Sequence, residues 1–189
     1  MDVTAVILSS KPVTTTIPGV AVVSHVSTFS DAAGLLNARI AALDKVLTER
    51  FFFLDDDDVL PDNYLDVLER CIDTGAAVAY TNELIRLEDG TERVRKSGPY
   101  SQSAHFSDFM LIHHLAVCRT DAARRAAAVI PRGTYGAESL LFFQAAKEGA
   151  QWVDEIGYVW VPKKTGLSNH PSLLIGHIQS ATWASRNRA

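Results

Sequence analysis

Residues 50–61, "RFFFLDDDDVLP", set three phenylalanines and a leucine directly ahead of four aspartates, with a proline three residues further on. A short apolar run closed by acids and a proline reads as a buried strand whose end emerges at the rim of a core. Two like charges about 4 Å apart repel by ~1 kcal/mol in water and by ~4 kcal/mol at an effective dielectric of 20. In an extended chain Asp55 and Asp57 share one face, Asp56 and Asp58 the other, and no nearby Lys or Arg in the sequence neutralises them. The simplest relief is a divalent cation, because carboxylates are hard oxygen ligands that suit Mg²⁺, Mn²⁺ or Ca²⁺. The plainer reading gives Asp58 to the cap of the next helix and leaves the other three as solvated loop charges.

The rest of the chain alternates strand and helix signals. "VTAVILSS" and "PGVAVVSH" are β-branched apolar runs that predict buried strands. Leu36, Ile40, Leu43 and Leu47 then recur at helical spacing, with Ser30 and Asp31 as caps. Pro61 suits the first turn of a helix whose stripe is Tyr64, Leu65, Leu68, Cys71 and Ile72, with Gly75 as its stop. "AAVAYTNELIRL", the Asp89-Gly90 turn and "TERVRK" predict a hairpin. Residues 98–109 carry no period and read as loop. "LIHHLAVCR" predicts a strand, and Thr120 caps the helix "DAARRAAAVI". "GAESLLFFQAAKEG" predicts a helix ended at Gly149, "QWVDEIGYVWVP" a last strand or hairpin, and a short helix follows from about Pro171.

These elements imply one α/β domain over 1–189: a mixed, mainly parallel sheet, Rossmann-like, with helices on both faces. Residues 1–97 form its first half, 98–170 its second and 171–189 a tail. In such sheets ligands bind beyond the carboxyl ends of the strands, where Asp55 to Asp58 stand. Of 189 residues 47% are hydrophobic and 21% charged, and the net charge of −4 argues against a general affinity for nucleic-acid backbone. Cys71 and Cys118 make no metal or redox spacing and read as buried thiols in a reducing compartment. The opening "MDVTAVILSSKP" has no secretory character, and no run reaches the roughly 18 apolar residues of a membrane span, so a cytoplasmic location is expected.

With these pieces in order, the sequence resembles the nucleotide-sugar glycosyltransferases of the GT-A fold, family 2. "FFFLDDDDVLPDNYLDVL" resembles that family's strand, Asp-any-Asp motif and following helix. "GLLNAR", residues 34–39, is similar to its Gly-x-x-x-Ala-Arg helix. "LAVCRTDAARRA" resembles the strand and helix before the acceptor site. "AESLLFFQAAKEGAQWVDEIGYVW" with "SNHPS" is similar to its Glu-Asp helix, aromatic strand and Ser-containing tail. The likeness covers roughly residues 3–172.

That resemblance implies an inverting sugar transfer from a nucleotide-sugar donor to an acceptor hydroxyl, dependent on Mn²⁺ or Mg²⁺. Carried over, Asp57 and Asp55 hold the metal, His170 supplies a third ligand from the tail, and Asp55 and Asp56 contact the donor. Ser9 and Arg39 line the nucleotide, and Lys163 and Lys164 cradle the diphosphate. Glu138 is the base, although the aspartate that usually does this work is Ser139 here; the plain reading of Glu138 is an acid favoured by a helix dipole. An exposed helix arginine and a solvated lysine loop are the plain readings of Arg39 and the lysine pair. His113-His114, near the acceptor side, reads as a structural pair. Only "KPVTTTIPG" separates the first two strands, where the family has a helix, and Ser24 and His25 occupy the rim where its acidic pair reads the base. The nucleotide pocket is therefore abbreviated.

The acceptor is a glycan, a lipid carrier, a protein or a modified nucleobase. "PSLLIGHIQSATWAS" is amphipathic enough to pack on its own domain or to join a homodimer. Two other readings stand. A degenerate GT-A domain would bind a nucleotide or a partner without transfer. A haloacid dehalogenase-type phosphatase would use the first aspartate as nucleophile, and would need a later acidic pair for which Asp154-Glu155 is a poor match.

Overall fold

Val3–Ser9 form β1, buried at every residue, as an unbroken apolar run between two helical layers must be. The computed structural model describes residues 1–28, 32–107, 111–130 and 139–162, together with 178, 181–183, 185 and 186. The other elements are β2 (Ala21–Val26), α1 (Ala32–Leu43), β3 (Arg50–Asp55), α2 (Tyr64–Asp73), β4 (Val78–Arg86) and β5 (Glu92–Arg95), then α3 (Gln102–Ser107), β6 (Ala116–Arg119), α4 (Thr120–Val129), α5 (Ser139–Ala145) and β7 (Ala150–Trp160).

The seven strands make one sheet. β1 pairs in parallel with β2 and β3, and β7 pairs in parallel with β4. β6 lies antiparallel between β3 and β4, so β1, β2, β3, β4 and β7 point one way and only β5 and β6 run against them. A mainly parallel sheet is what the sequence predicts. Alternation along the strands divides the core in two. Phe51 and Phe53, with Val78 and Tyr80, face Leu36, Leu43, Ala123, Leu140 and Phe142 of α1, α4 and α5. Phe52, Leu54 and Ala79 face Val67, Leu68 and Cys71 of α2. Each fully buried phenylalanine contributes roughly 1.5–3 kcal/mol of transfer free energy, which fixes the register of β3 and hence the position of the acids after it.

Several boundaries differ from the sequence expectation. Gln102–Ser107 form α3, where a loop is predicted; Ser101 Oγ accepts a bond from the Ala104 amide, a local cap that a search for apolar period does not detect. α1 stops at Leu43, and Leu47 is 94% exposed instead of continuing the stripe. Pro61 precedes α2 in a turn, its carbonyl accepting from the Tyr64 amide. Thr120 does not cap α4: its hydroxyl donates to the Thr48 carbonyl, and Asp121 accepts from the Ala122 amide. β6 begins at Ala116, so His113 and His114 belong to the approach and not to the strand. β7 is one strand and not a hairpin. Ser30, Asp31 and Pro171 lie outside the described residues. Ile178 and residues 181–183, 185 and 186 are helical, and Trp183 packs on the first cluster. The Asp89-Gly90 hairpin turn forms as predicted, with Gly90 at φ +81°. Eleven residues without a helix join β1 to β2, closed by an Ile17–Val20 bridge.

β7 meets β4 through irregular register at Asn82, and Gly157 lies against Thr81 there. A Cβ on Gly157 would stand 2.6 Å from Thr81 Oγ1 and 3.0 Å from its Cγ2. Gly157→Ala is expected to cost about 1–3 kcal/mol by overpacking. Adding Thr81→Ala should recover much of that loss; additive effects of the two changes in denaturant melts would contradict this fit.

Candidate active site

The four acids do not hang as a free loop. After β3 the chain turns sharply, the Asp58 amide bonding the Asp55 carbonyl, and two of the four carboxylates are tied to remote elements. Asp55 Oδ1 accepts from Arg39 Nη2 of α1 at 2.9 Å. Arg39 is 1% exposed and its guanidinium lies 4.5 Å above the Phe53 ring, so a desolvated cation is held under the rim by one carboxylate and one aromatic face. The plain reading of Arg39 as exposed is thus overturned, and so is the reading that no base neutralises the acids: the neutraliser lies sixteen residues upstream on a different element.

Asp58 is not a helix cap. Its Oδ2 accepts from the Tyr158 hydroxyl at 2.9 Å and its Oδ1 from the Val161 amide at 2.8 Å, while the Tyr158 oxygen accepts from the Asp55 amide at 3.2 Å. Backbone bonds between Val59 and Val159 add to the clasp. Burial pushes Asp58 up to about 6, the charges of Asp55 and Asp57 adding to the effect and the two hydrogen bonds opposing it. Burial first, then the nearby Asp55 and Asp58 charges, keeps the Tyr158 phenol well above its usual range, so it stays a donor. With Asp55 and Asp58 restrained, the exposed Asp56 and Asp57 stand at the tip of the turn.

The rim continues across the sheet. The Thr81 amide bonds the Leu115 carbonyl, which fixes β4 against the approach to β6 beside Asp55. His114 stacks on Tyr158 with centroids 4.7 Å apart, and its Nε2 is 3.9 Å from Asp55 Oδ2. His113 meets His114 edge-on at 5.0 Å, and its Nδ1 is 2.5 Å from Glu83 Oε2. Glu83, on β4 and 1% exposed, also has Arg95 of β5 at 3.9 Å. Next to it Asn82 is fully engaged: its amide donates to Asp154 and its oxygen accepts from the Ser97 amide and Trp152 Nε1. Asn82 and Lys96 hold the Asp154 carboxyl below its usual range.

Ser9 ends β1 with its side chain buried and its Oγ accepting from the Lys11 amide. Ser24 Oγ and His25 Nδ1, at the end of β2, are buried with no hydrogen bond among the described residues. Glu138, Lys163, Lys164 and His170 lie outside the described residues. Ser139 is fully buried at the start of α5, its carbonyl 2.9 Å from His105 Nε2. Among the described residues no three His, Cys, Asp or Glu side chains converge to hold a metal. Asp55 and Asp57 nonetheless offer two hard oxygen ligands at one rim, the number with which Mg²⁺ is commonly held when substrate phosphates complete its shell. Sequence reasoning missed Tyr158 and Glu83. Glu83 had a signal, a charge in the middle of the apolar run "AVAYTNELIRL".

No protein-family model matches the sequence, and no curated protein does. Solved structures do share the fold. TarS 1–349 of S. aureus, crystallised in complex with UDP-GlcNAc, superposes with a TM-score of 0.61 at 11% identity, over 89% of this chain and 61% of that one. The longer S. aureus TarS chain gives 0.58 at 15% identity, and TarS 1–349 in complex with UDP gives 0.52 at 16%. The chain spans 86% of itself but 37% of the longer TarS, and no helix among its described residues is long and apolar enough to cross a membrane. The architecture that the sequence led us to expect, a GT-A-like fold, is the one this chain adopts.

Proposed function

We propose that the chain transfers a sugar from a nucleotide-sugar donor to an acceptor hydroxyl, assisted by Mn²⁺ or Mg²⁺. The observation that carries this is the divided aspartate turn: two acids clasped by Arg39 and Tyr158 so that Asp56 and Asp57 project where open α/β sheets bind ligands. The fold shared with TarS, crystallised with UDP-GlcNAc and with UDP, supports a sugar nucleotide as the occupant.

Asp57 and the unbonded side of Asp55 would hold the metal, with Asp56 beside the donor. The ion supplies charge neutralisation for the departing diphosphate. Arg39 pairs with Asp55 and aims it along the rim; Tyr158 and Val161 fix the turn so that the acids need no rearrangement when the donor arrives. Inversion at the anomeric carbon follows if the acceptor attacks from the face opposite the diphosphate. Ser139 favours a second reading, a domain that binds a nucleotide without transfer, because a buried serine replaces the acid expected at that place.

In a donor panel, nucleotide release is expected only with Mn²⁺ or Mg²⁺, and Asp57→Ala should reduce it at least 100-fold; full activity in excess chelator would refute the metal's part. Arg39→Met should weaken metal-dependent donor binding by about tenfold or more, a loss of roughly 1.4 kcal/mol. Titration calorimetry reads that loss, and unchanged affinity would remove Arg39 from the site. Tight nucleotide binding with no transfer to any acceptor would favour the binding-only reading.

A further inference from the structure

Glu83 stands out because nothing in the fold calls for it. The side chains beside it on β4 are either apolar or satisfied. Asn82 spends its amide on three partners, yet neither Glu83 oxygen has a well-aligned hydrogen bond among the described residues. Leaving a carboxylate 1% exposed and incompletely bonded costs several kcal/mol. Its closest titratable contact is His113 Nδ1 at 2.5 Å, the separation of a hydrogen bond although the angle falls short of one. The His113 side chain is 14% exposed, with the Trp160 ring 6.5 Å away. A buried acid turned to one nitrogen of a histidine near the surface is the arrangement by which imidazoles are oriented for proton transfer.

Position supports the same role. β6 and its approach lie between β3 and β4, so Glu83 is two strand spacings from Asp55, roughly 10 Å across the rim. His114, between them, touches both ends: 3.9 Å from Asp55 and 5.0 Å from the His113 ring. A sugar whose diphosphate was held at Asp55 and Asp57 would have this span of the rim, and His113 at its far end, beside it.

We propose that His113 Nε2 receives the proton of the acceptor hydroxyl, with Glu83 as the positioning residue that holds Nδ1; the assignment rests on the glycosyltransferase reading above. As the acceptor oxygen bonds to the anomeric carbon, the bond from that carbon to the phosphate oxygen breaks, its electron pair leaves on the nucleoside diphosphate, and the hydroxyl proton passes to Nε2. The Glu83 carboxylate offsets the imidazolium that forms, and water later takes the proton. Burial, with His114 and Arg95 nearby, depresses the His113 proton affinity against the pull of Glu83. The ring is therefore neutral near neutral pH and able to accept.

Two measurements on the full chain test this. Nitrogen NMR of histidine-labelled wild-type protein at neutral pH should show His113 protonated at Nδ1 and bare at Nε2; the opposite tautomer overturns the assignment whatever the activity. With the donor and acceptor found in the panel, His113→Ala should lower kcat at least 100-fold while the metal-dependent donor Kd changes less than about threefold. Added imidazole should restore part of the rate, and Glu83→Gln should lower kcat with little change in donor Kd. Full turnover in His113→Ala, or a loss that imidazole does not rescue, overturns the proposal. A wild-type chain that binds no sugar nucleotide sinks the glycosyltransferase reading itself. A wild type that transfers sugar with no dependence on His113 sinks this assignment alone.

Discussion

Four consecutive carboxylates can hold a defined shape only if something divides them, and in this chain the division is made by Arg39 and Tyr158. The guanidinium reaches Asp55 from a helix upstream, and the phenol reaches Asp58 from a strand a hundred residues downstream. The first tether pairs one of the charges, and burial at the second pushes Asp58 up to about 6, closer to the neutral acid than its neighbours' ordinary range would put it. The two acids between them are then presented at the tip of a turn whose ends are fixed. Without this division, the turn would relax into solvent and the rim would lose its binding shape.

The same division explains what could be read in the sequence. The strand "RFFFLD" was legible because its apolar run is local and its acids follow at once, and the alternation of strand and helix gave the sheet its direction. The partners of the acids were not legible. Arg39 reads as any helix arginine until α1 packs over Phe53, and Tyr158 reads as one aromatic among several in β7. Both roles are set by tertiary contact, which no local period reports. α3 escaped notice for a related reason: it is six residues long and rests on a serine cap, so it has no stripe. The tail, with Lys163, Lys164 and His170, contributes to the sequence argument alone.

The short link between β1 and β2 has a price elsewhere in the site. Where a helix would cover the edge, the segment 10–20 packs only Val13, Ile17 and Val20 on the second cluster. Ser24 and His25 then bring buried polar atoms to the rim with no internal partner among the described residues. A nucleobase here would meet a hydroxyl and an imidazole instead of a carboxylate pair, a weaker and less selective set of contacts. On the proposed reading, much of a donor's hold would fall to the diphosphate end.

β7 lies beyond β4 in the sheet, and among the described residues its outer side is held at Val159, by two backbone bonds to Val59. Strands so placed fray readily, because most backbone groups on their outer side have no strand neighbour to keep them in place. Yet this strand carries Tyr158, leads into Val161, and fits Gly157 against Thr81. Each transient peeling of that margin would let go of Asp58 and loosen the acidic turn. The shape of the acidic turn and the cohesion of the sheet's border are thus one quantity seen from two sides: a ligand that tightened the turn would also stitch down the hem.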